Sequence, residues 1–505
     1  MRFYTETCVE LCKLIAGFYQ SPNLTVMGRS GMVMCVDGRR PSEAMISGRS
    51  RGHIVSVEGM KAMRIGQSRR SVVLICAQTF VIFLNSVCAA SELPSGYAAP
   101  ALPQIPQKSF KITEHGALGD GAKANTDAIQ AAIDAASAAG GGIVEVPAGD
   151  FLCGPLHLAN GIDLQLDSGA TLKMLPLDRY PGGTNDPANF ISGAGLHDIA
   201  ISGEGTIDGQ GAPWWPFAKD KSAKRPRMIA LSGCDRVLIS KVTLKNSPMF
   251  HIAIGGKSTN VTVRGVTIRA NPSTDPVSPG HNTDACDVSG SHILVQDCNV
   301  SVGDDDFTCG GGTSDVLITH CTYGYGHGVS IGSGTAGGVS NFTVEDCTFE
   351  NTECGIRVKS DRDRGGSVHD LVYRDLKMSN VDCPILIYGS YMASEREYRD
   401  LNKLTAEIAA RYPAKPVGAK TPIYSNITFS DITATVSKGH RAGLIWGLPE
   451  APISGLTLQN VDITADKPLG IYFAKDVHVI NCSIKTPEGL NKLSVSNAQI
   501  DSGGN

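Results

Sequence analysis

Eleven stretches of this chain share one grammar, and that repetition constrains the fold more than any other property. Each opens with a short run alternating between apolar and polar residues. It passes a polar pair, enters a second short run and ends at Gly, Asn or Ser. VLISKVTLKNS (237–247), ILVQDCNVSVG (293–303) and VLITHCTYGYG (316–326) are examples. Most recur at intervals of roughly 21–38 residues, the period of a solenoid. Such units leave no room for crossover helices and are too numerous for one sandwich. The expected fold is all-β, a right-handed parallel β-helix whose coils each contribute two to four short strands. Asn at the turns suits left-handed corners and side-chain ladders.

A stack of coils needs a plug at its open end. Residues 108–150 supply one. Asn125-Thr126-Asp127 offers a cap, Ala128 to Ala139 has the spacing of an amphipathic helix, and Gly140–Gly142 stop it before the strand IVEVPAG. The expected architecture is therefore a β-helix domain over 108–498 with a short N-terminal capping helix. Residues 91–107, rich in Pro, Ala and Ser, read as a linker, and 499–505 as a disordered tail. Between LVYRD and ITFSD, residues 394–416 have the charge and apolar spacing of a helix carried on a loop. Such a loop lines a cleft or merely decorates the solenoid.

The first 59 residues show no clear periodicity and read as a disordered or mis-called extension. From Met60 the pattern changes. Arg64, Arg69 and Arg70 precede an almost uncharged run, Ser71 to Val87, and small residues follow at Cys88-Ala89-Ala90-Ser91. This is the layout of a secretory leader over 60–90, with translation starting at Met60 or Met63. The competing reading is a membrane anchor, for which a run of about 17 residues broken by Gln78 and Asn85 is short. The expected location is secreted or periplasmic, with no stable membrane association after leader cleavage.

The net charge of −4 carries no basic excess, which argues against a nucleic-acid partner. Of 15 cysteines, ten follow Ala90. Cys298, Cys321, Cys347 and Cys482 hold the same place in their repeats, so they are expected to stack as a buried ladder of thiols instead of pairing as disulfides. No CxxC pair suggests zinc, and no metal or cofactor is expected. The chain is expected to be monomeric.

Between Asn282 and Lys359 four short motifs fall at coil spacing: Asn282-Thr283-Asp284, Gly303-Asp304-Asp305, Gly326-His327-Gly328 and Arg357-Val358-Lys359. Stacked on consecutive coils they would bring three carboxylates, an imidazole and two cations together. A glycosidic bond needs one carboxylic acid for the leaving oxygen and a carboxylate for water. Adjacent carboxylates raise one another's proton affinity. Arg357 and Lys359, two apart on a strand, face the same way, and a substrate carboxylate would suit them. Taken singly, an Asp pair in a glycine-rich turn is usually a turn, and a His between glycines is usually structural. Their joint occurrence at coil spacing is what points to a site.

These motifs, with GEGTIDGQGAPWW (203–215), RPRMIAL, LKNSPMFHI and EHGALGDG, resemble glycoside hydrolase family 28, the polygalacturonases, over about residues 108–490. The resemblance implies hydrolysis of α-1,4-galacturonosyl bonds in pectin with inversion, and a pectic polysaccharide as the binding partner. It implies Asp304 as general acid, Asp284 and Asp305 as holders of the water, and His327 as the group sustaining the acid's protonation. It implies Arg357, Lys359, Tyr391 and Asn282 as substrate-binding residues. Ala285 stands where the family usually has Gly, and Asp306 where it usually has Cys. By strand alternation Asp306 should turn inward or into a polar pocket. A rhamnogalacturonan hydrolase of the same family, a β-helix lyase using calcium at Asp304–Asp306, and a non-catalytic polysaccharide-binding shaft are the alternatives.

Overall fold

A computed structural model describes residues 23–27, 32–37, 44–48, 93, 97–391, 403–490 and 492–501. The chain divides into a unit up to Glu92 and a unit from Leu93 onward. In the first, Asn23–Met27, Met32–Asp37 and Ala44–Gly48 form a three-stranded antiparallel meander. These are the described residues of the extension expected over 1–59, short apolar runs separated by Gly and Arg that pair in register. The leader expected at 60–90 lies outside the described residues.

The second unit is a parallel β-helix. Strand after strand pairs in parallel with the equivalent strand of the next coil, and among the described residues of this unit only Ser483–Thr486 with Gly489–Leu490 runs antiparallel. Three faces recur. One is built from Ile191–Ala194, Ile229–Ser232, the starts of Ile252–Arg264 and Cys286–Gln296, then Phe307–Cys309, Val329–Ile331, Cys354–Lys359 and Cys383–Tyr388. Crossovers between parallel strands of this kind are right-handed.

Period-two alternation drives the assembly. Inward positions such as Ile199, Val237, Val261, Ile293, Val316 and Phe342 are buried and stack in register, so each coil's apolar row covers the next. The corners turn through left-handed residues, as expected for Asn: Asn246, Asn351 and Asn380 have φ of 53°, 59° and 54°. A short polar side chain tolerates that region and bonds along the stack. Asn380 Nδ2 donates to Asn351 Oδ1 at 2.8 Å, and Asn481 to Asn460 at 2.7 Å.

Helix α1 (Thr126–Ala138) closes the N-terminal end with Ile129, Ala132, Ile133 and Ala136 buried. Its Asn125 does not cap with its side chain. Instead its Oδ1 accepts from Leu118 N at 2.8 Å and its Nδ2 donates to Leu118 O and Lys123 O, which pins the preceding loop. Residues 97–107, read as linker, include anchors on the solenoid wall: Gln104 N donates to Asp198 Oδ1 at 2.8 Å. At the other end the last strand, Leu493–Asp501, includes residues 499–501 of the expected tail.

The cysteine ladder holds for three members. Cys298, Cys321 and Cys347 are buried neighbours, each thiol directed at the carbonyl two residues earlier. Cys482 occupies the same row but lies beyond Leu376, Ile432 and Val461 and is partly exposed, so it does not touch the others.

Candidate active site

The chemistry sits where the polypeptide enters the strands of one face. Asp284 lies just before Cys286–Gln296, Asp304–Asp306 before Phe307–Cys309 and His327 before Val329–Ile331, while Arg357 and Lys359 lie within Cys354–Lys359. The turn at Gly303 is stitched to the preceding coil. Thr283 Oγ1 accepts from Gly303 N at 2.9 Å and donates to Gly280 O at 2.7 Å. A β-carbon at Gly303 would collide with the Gly280 and Asn271 carbonyls, so only glycine lets the acids approach this closely. His251, from the LKNSPMFHI motif, is fully buried with Nδ1 3.1 Å from Thr283 O; burial lowers its pKa to about 4, so it supports this turn as a neutral ring.

One network then joins the expected residues. His327 Nδ1 is 3.1 Å from Asp304 Oδ1, and Asn282 Nδ2 donates to Asp304 Oδ2 at 3.3 Å. Asp305 accepts from Ser330 Oγ at 2.7 Å, from Lys359 Nζ at 3.0 Å and from Arg357 Nη2. Arg357 also reaches His327 Nδ1 at 3.2 Å. Tyr391 is partly exposed, with Lys359 Nζ 5.2 Å from its ring centre. Asp284 is buried beside them, and its Oδ1 has no hydrogen-bond partner.

The three carboxylates are electrostatically distinct. Burial, then the charges of Asp304 and Asp305, push Asp284 well above the usual carboxylate range. Burial also pushes on Asp305, but Arg357 and Lys359 overcome it and hold that carboxylate ionised. At Asp304 burial is outweighed by the bond and charge of His327, so its pKa is lowered. Asp284 and Asp304 are thus pushed in opposite directions by their surroundings.

One sequence expectation is modified here and another holds. Arg357 and Lys359 were expected to face a substrate carboxylate; both are buried and paired with Asp305 two coils upstream, which compensates two desolvated cations before any substrate arrives. Asp306 does turn inward as alternation requires: it is buried, accepts from Gly328 N at 2.9 Å, and burial raises its pKa well above the usual range. It cannot join Asp304 and Asp305 around a calcium ion, which needs converging oxygens.

Sequence reasoning missed Glu353, whose Oε2 lies 3.1 Å from His327 Nε2, and Arg225, which bonds Asn282 Oδ1 at 2.7 Å. Glu353 falls four residues before Arg357, but nothing in its local pattern announces a role.

Upstream on the same face lies a groove of about 550 Å³ reaching the cluster at Asp287. Its floor is a row of outward side chains in register: His157, Ser192, Ala230, Ala253 and Asp287. Downstream that face is covered. The row through Lys359 continues into Tyr388, Trp446 and Tyr472, all buried. They pack with Leu404, Ala409 and Tyr412 of the insertion, whose helix α2 spans Ala406–Ala410. The expected helix at 394–416 is thus seen as one short turn among the described residues, and it lies over the solenoid face beyond the acids.

Residues 139–482 match the family model for glycosyl hydrolases family 28. An endo-polygalacturonase of Pectobacterium carotovorum subsp. carotovorum is 31% identical, over 63% of this chain and 78% of the relative. An exopolygalacturonase of Zea mays is 32% identical, over 71% of this chain and 84% of the relative. Among solved structures, the polygalacturonase from Erwinia carotovora ssp. carotovora is 28% identical with a TM-score of 0.60, covering 75% of this chain and 99% of that one.

Proposed function

The chain belongs to glycosyl hydrolases family 28, and from that membership we propose that it cuts α-1,4 bonds between galacturonates of pectin or polygalacturonate with inversion at the anomeric carbon. The observation that carries the reading is the convergence of Asp284, Asp304, Asp305 and His327 beside Arg357 and Lys359 at the end of an open groove.

Asp304 is the most exposed of the three acids, with 20% of its side chain accessible against 5% for Asp305, so it is the one a glycosidic oxygen can reach. Its proton must come from the cluster. A bound uronate brings another negative charge and excludes water from Asp304; both raise its proton affinity. The shared proton then favours Asp304, and Asp284 becomes the base. Asp304 gives the proton to the glycosidic oxygen as the bond from the anomeric carbon breaks. Water attacks that carbon from the opposite side and passes its proton to Asp284. Asp305, locked by Arg357 and Lys359, helps orient the water and keeps a fixed charge beside the cationic transition state. Tyr391 forms the exposed rim that meets the sugar, and Lys359 beneath it is shared between Asp305 and the substrate carboxylate. His327, held between Asp304 and Glu353, sets the orientation of the acid.

The leader pattern read at 60–90 supports secretion of this activity. Relatives carry both endo and exo names, so the mode of cutting does not transfer from them. The test is chromatography of products from polygalacturonate. Release of saturated galacturonate or its oligomers supports the reading. An unsaturated product absorbing in the ultraviolet would replace it with a lyase, and no product from any galacturonan would refute it.

A further inference from the structure

The mechanism leaves one cation of this face unused. Arg227 lines the upstream groove and has no carboxylate within ion-pair distance among the described residues. Its guanidinium carbon lies 5.3 Å from the ring centre of Phe250, and its Nε has no hydrogen-bond partner. The parallel register aligns Arg227 with Phe250 on the next coil and Phe250 with Asp284 on the one after. At about 4.8 Å per coil, Arg227 stands roughly 10 Å upstream of Asp284. Asp287 lines the same groove and feels the charge of Arg227 without forming an ion pair with it.

We propose that Arg227, with Phe250 beside it, forms a second uronate subsite that takes the carboxylate of a sugar bound upstream of the cleavage point. The inference rests on the polygalacturonan reading and deepens it. Three features support it. The groove that Arg227 lines has small side chains on its floor, Ala230, Ala253 and Ser232, which leave room for a sugar chain. The opposite direction is filled by Tyr388, Trp446 and Tyr472 under the insertion, so a long substrate extends toward Arg227. An acidic polymer passing the negative cluster gains from a cation at each side, and the planar fork of arginine suits a carboxylate while its face stacks on an aromatic ring.

The site makes affinity depend on chain length. A digalacturonate straddling the acids leaves one sugar upstream, short of Arg227, whereas a tetramer or pentamer reaches it. A charge-assisted hydrogen bond of this kind corresponds to about ten- to hundredfold in kcat/KM. The experiment compares full-length wild type and Arg227→Gln on di- to hexagalacturonate. The expected result is a ten- to hundredfold loss on the long oligomers, carried by KM, and less than twofold on the shortest substrate cleaved. An unchanged length profile, or equal loss at every length, overturns the subsite. Asn189→Asp, whose side chain already accepts from Arg227 N at 2.9 Å in the same groove, puts a competing carboxylate beside Arg227 and should reproduce the loss even where Arg227→Gln folds poorly. A wild type inactive on every oligomer would instead defeat the polygalacturonan reading itself, which separates the two failures.

Discussion

Asp306 accepts a hydrogen bond from Gly328 N at 2.9 Å, directly beneath the turn that carries His327. The same carboxyl group fills the space beside Gly326, where a β-carbon would fall on it. A buried acid thus clamps the turn from inside while His327 addresses Asp304 outside. Because Asp306 is held neutral, an amide should replace it: Asp306→Asn is expected to keep turnover within about threefold. Gly326→Ala must displace either the acid or the turn, and its turnover should fall at least tenfold, since misplacement of about 1 Å costs that order or more. Steady-state rates on polygalacturonate check both.

Stability should decline from about pH 5 to pH 8. Asp284 and Asp306 have raised folded pKa values, and Asp287 is pushed up to about 6, by burial first and then by the charge of Asp305, with Arg227 opposing. A raised carboxyl pKa means the folded state binds more protons than the unfolded one above pH 4. Its stabilising contribution is whole below the unfolded pKa and is lost as pH rises through the folded value. Thermal melts should therefore give a higher Tm at pH 5 than at pH 8, and Asp306→Asn should flatten that slope. A Tm that rises with pH over this window would contradict the assignment.

Asp304→Asn removes the transferable proton but keeps the hydrogen-bonding shape. Turnover is expected to fall by about 10²–10⁴ with oligomer binding retained. Single-turnover rates with a binding titration make the comparison; a rate above a tenth of wild type would remove Asp304 from the role.

Lys359 and Arg357 are expected to differ from surface cations. Arg357→Ala strips Asp305 of its closest partner and leaves a buried charge, a loss of about 3–5 kcal/mol. Lys359→Ala leaves Arg357 and Ser330 in place and should cost less, about 1–3 kcal/mol, while weakening uronate binding. Denaturant titration ranks the two.

The cysteine row predicts slow thiol chemistry. The thiols of Cys298, Cys321 and Cys347 are buried, so a thiol reagent should leave all three unmodified in the native protein and label them after unfolding. Peptide mapping after labelling identifies which cysteines react.

The β-helix was legible because its cause is local and repeated. Alternation in stretches such as VLISKVTLKNS fixes which side chains face inward, and one coil's solution is every coil's solution. The motif set from Asn282 to Lys359 was legible for the same reason: the period of the fold sets the spacing of the site. α1 was visible in its apolar spacing, although Asn125 spends its side chain on Leu118, which no local pattern shows. The strands at 23–48 were not read, since short irregular runs become strands only through their pairing.

What sequence alone determined is the repeating architecture and the coil spacing of the motifs from Asn282 to Lys359, because both follow from residue type and period. The opposite pKa shifts of Asp284 and Asp304, the pairing of Arg357 and Lys359 with Asp305, the placement of Glu353 against His327, and the direction in which the groove stays open were decided by tertiary structure. Each depends on burial and on distances between coils, and neither quantity is written in the order of residues along one coil.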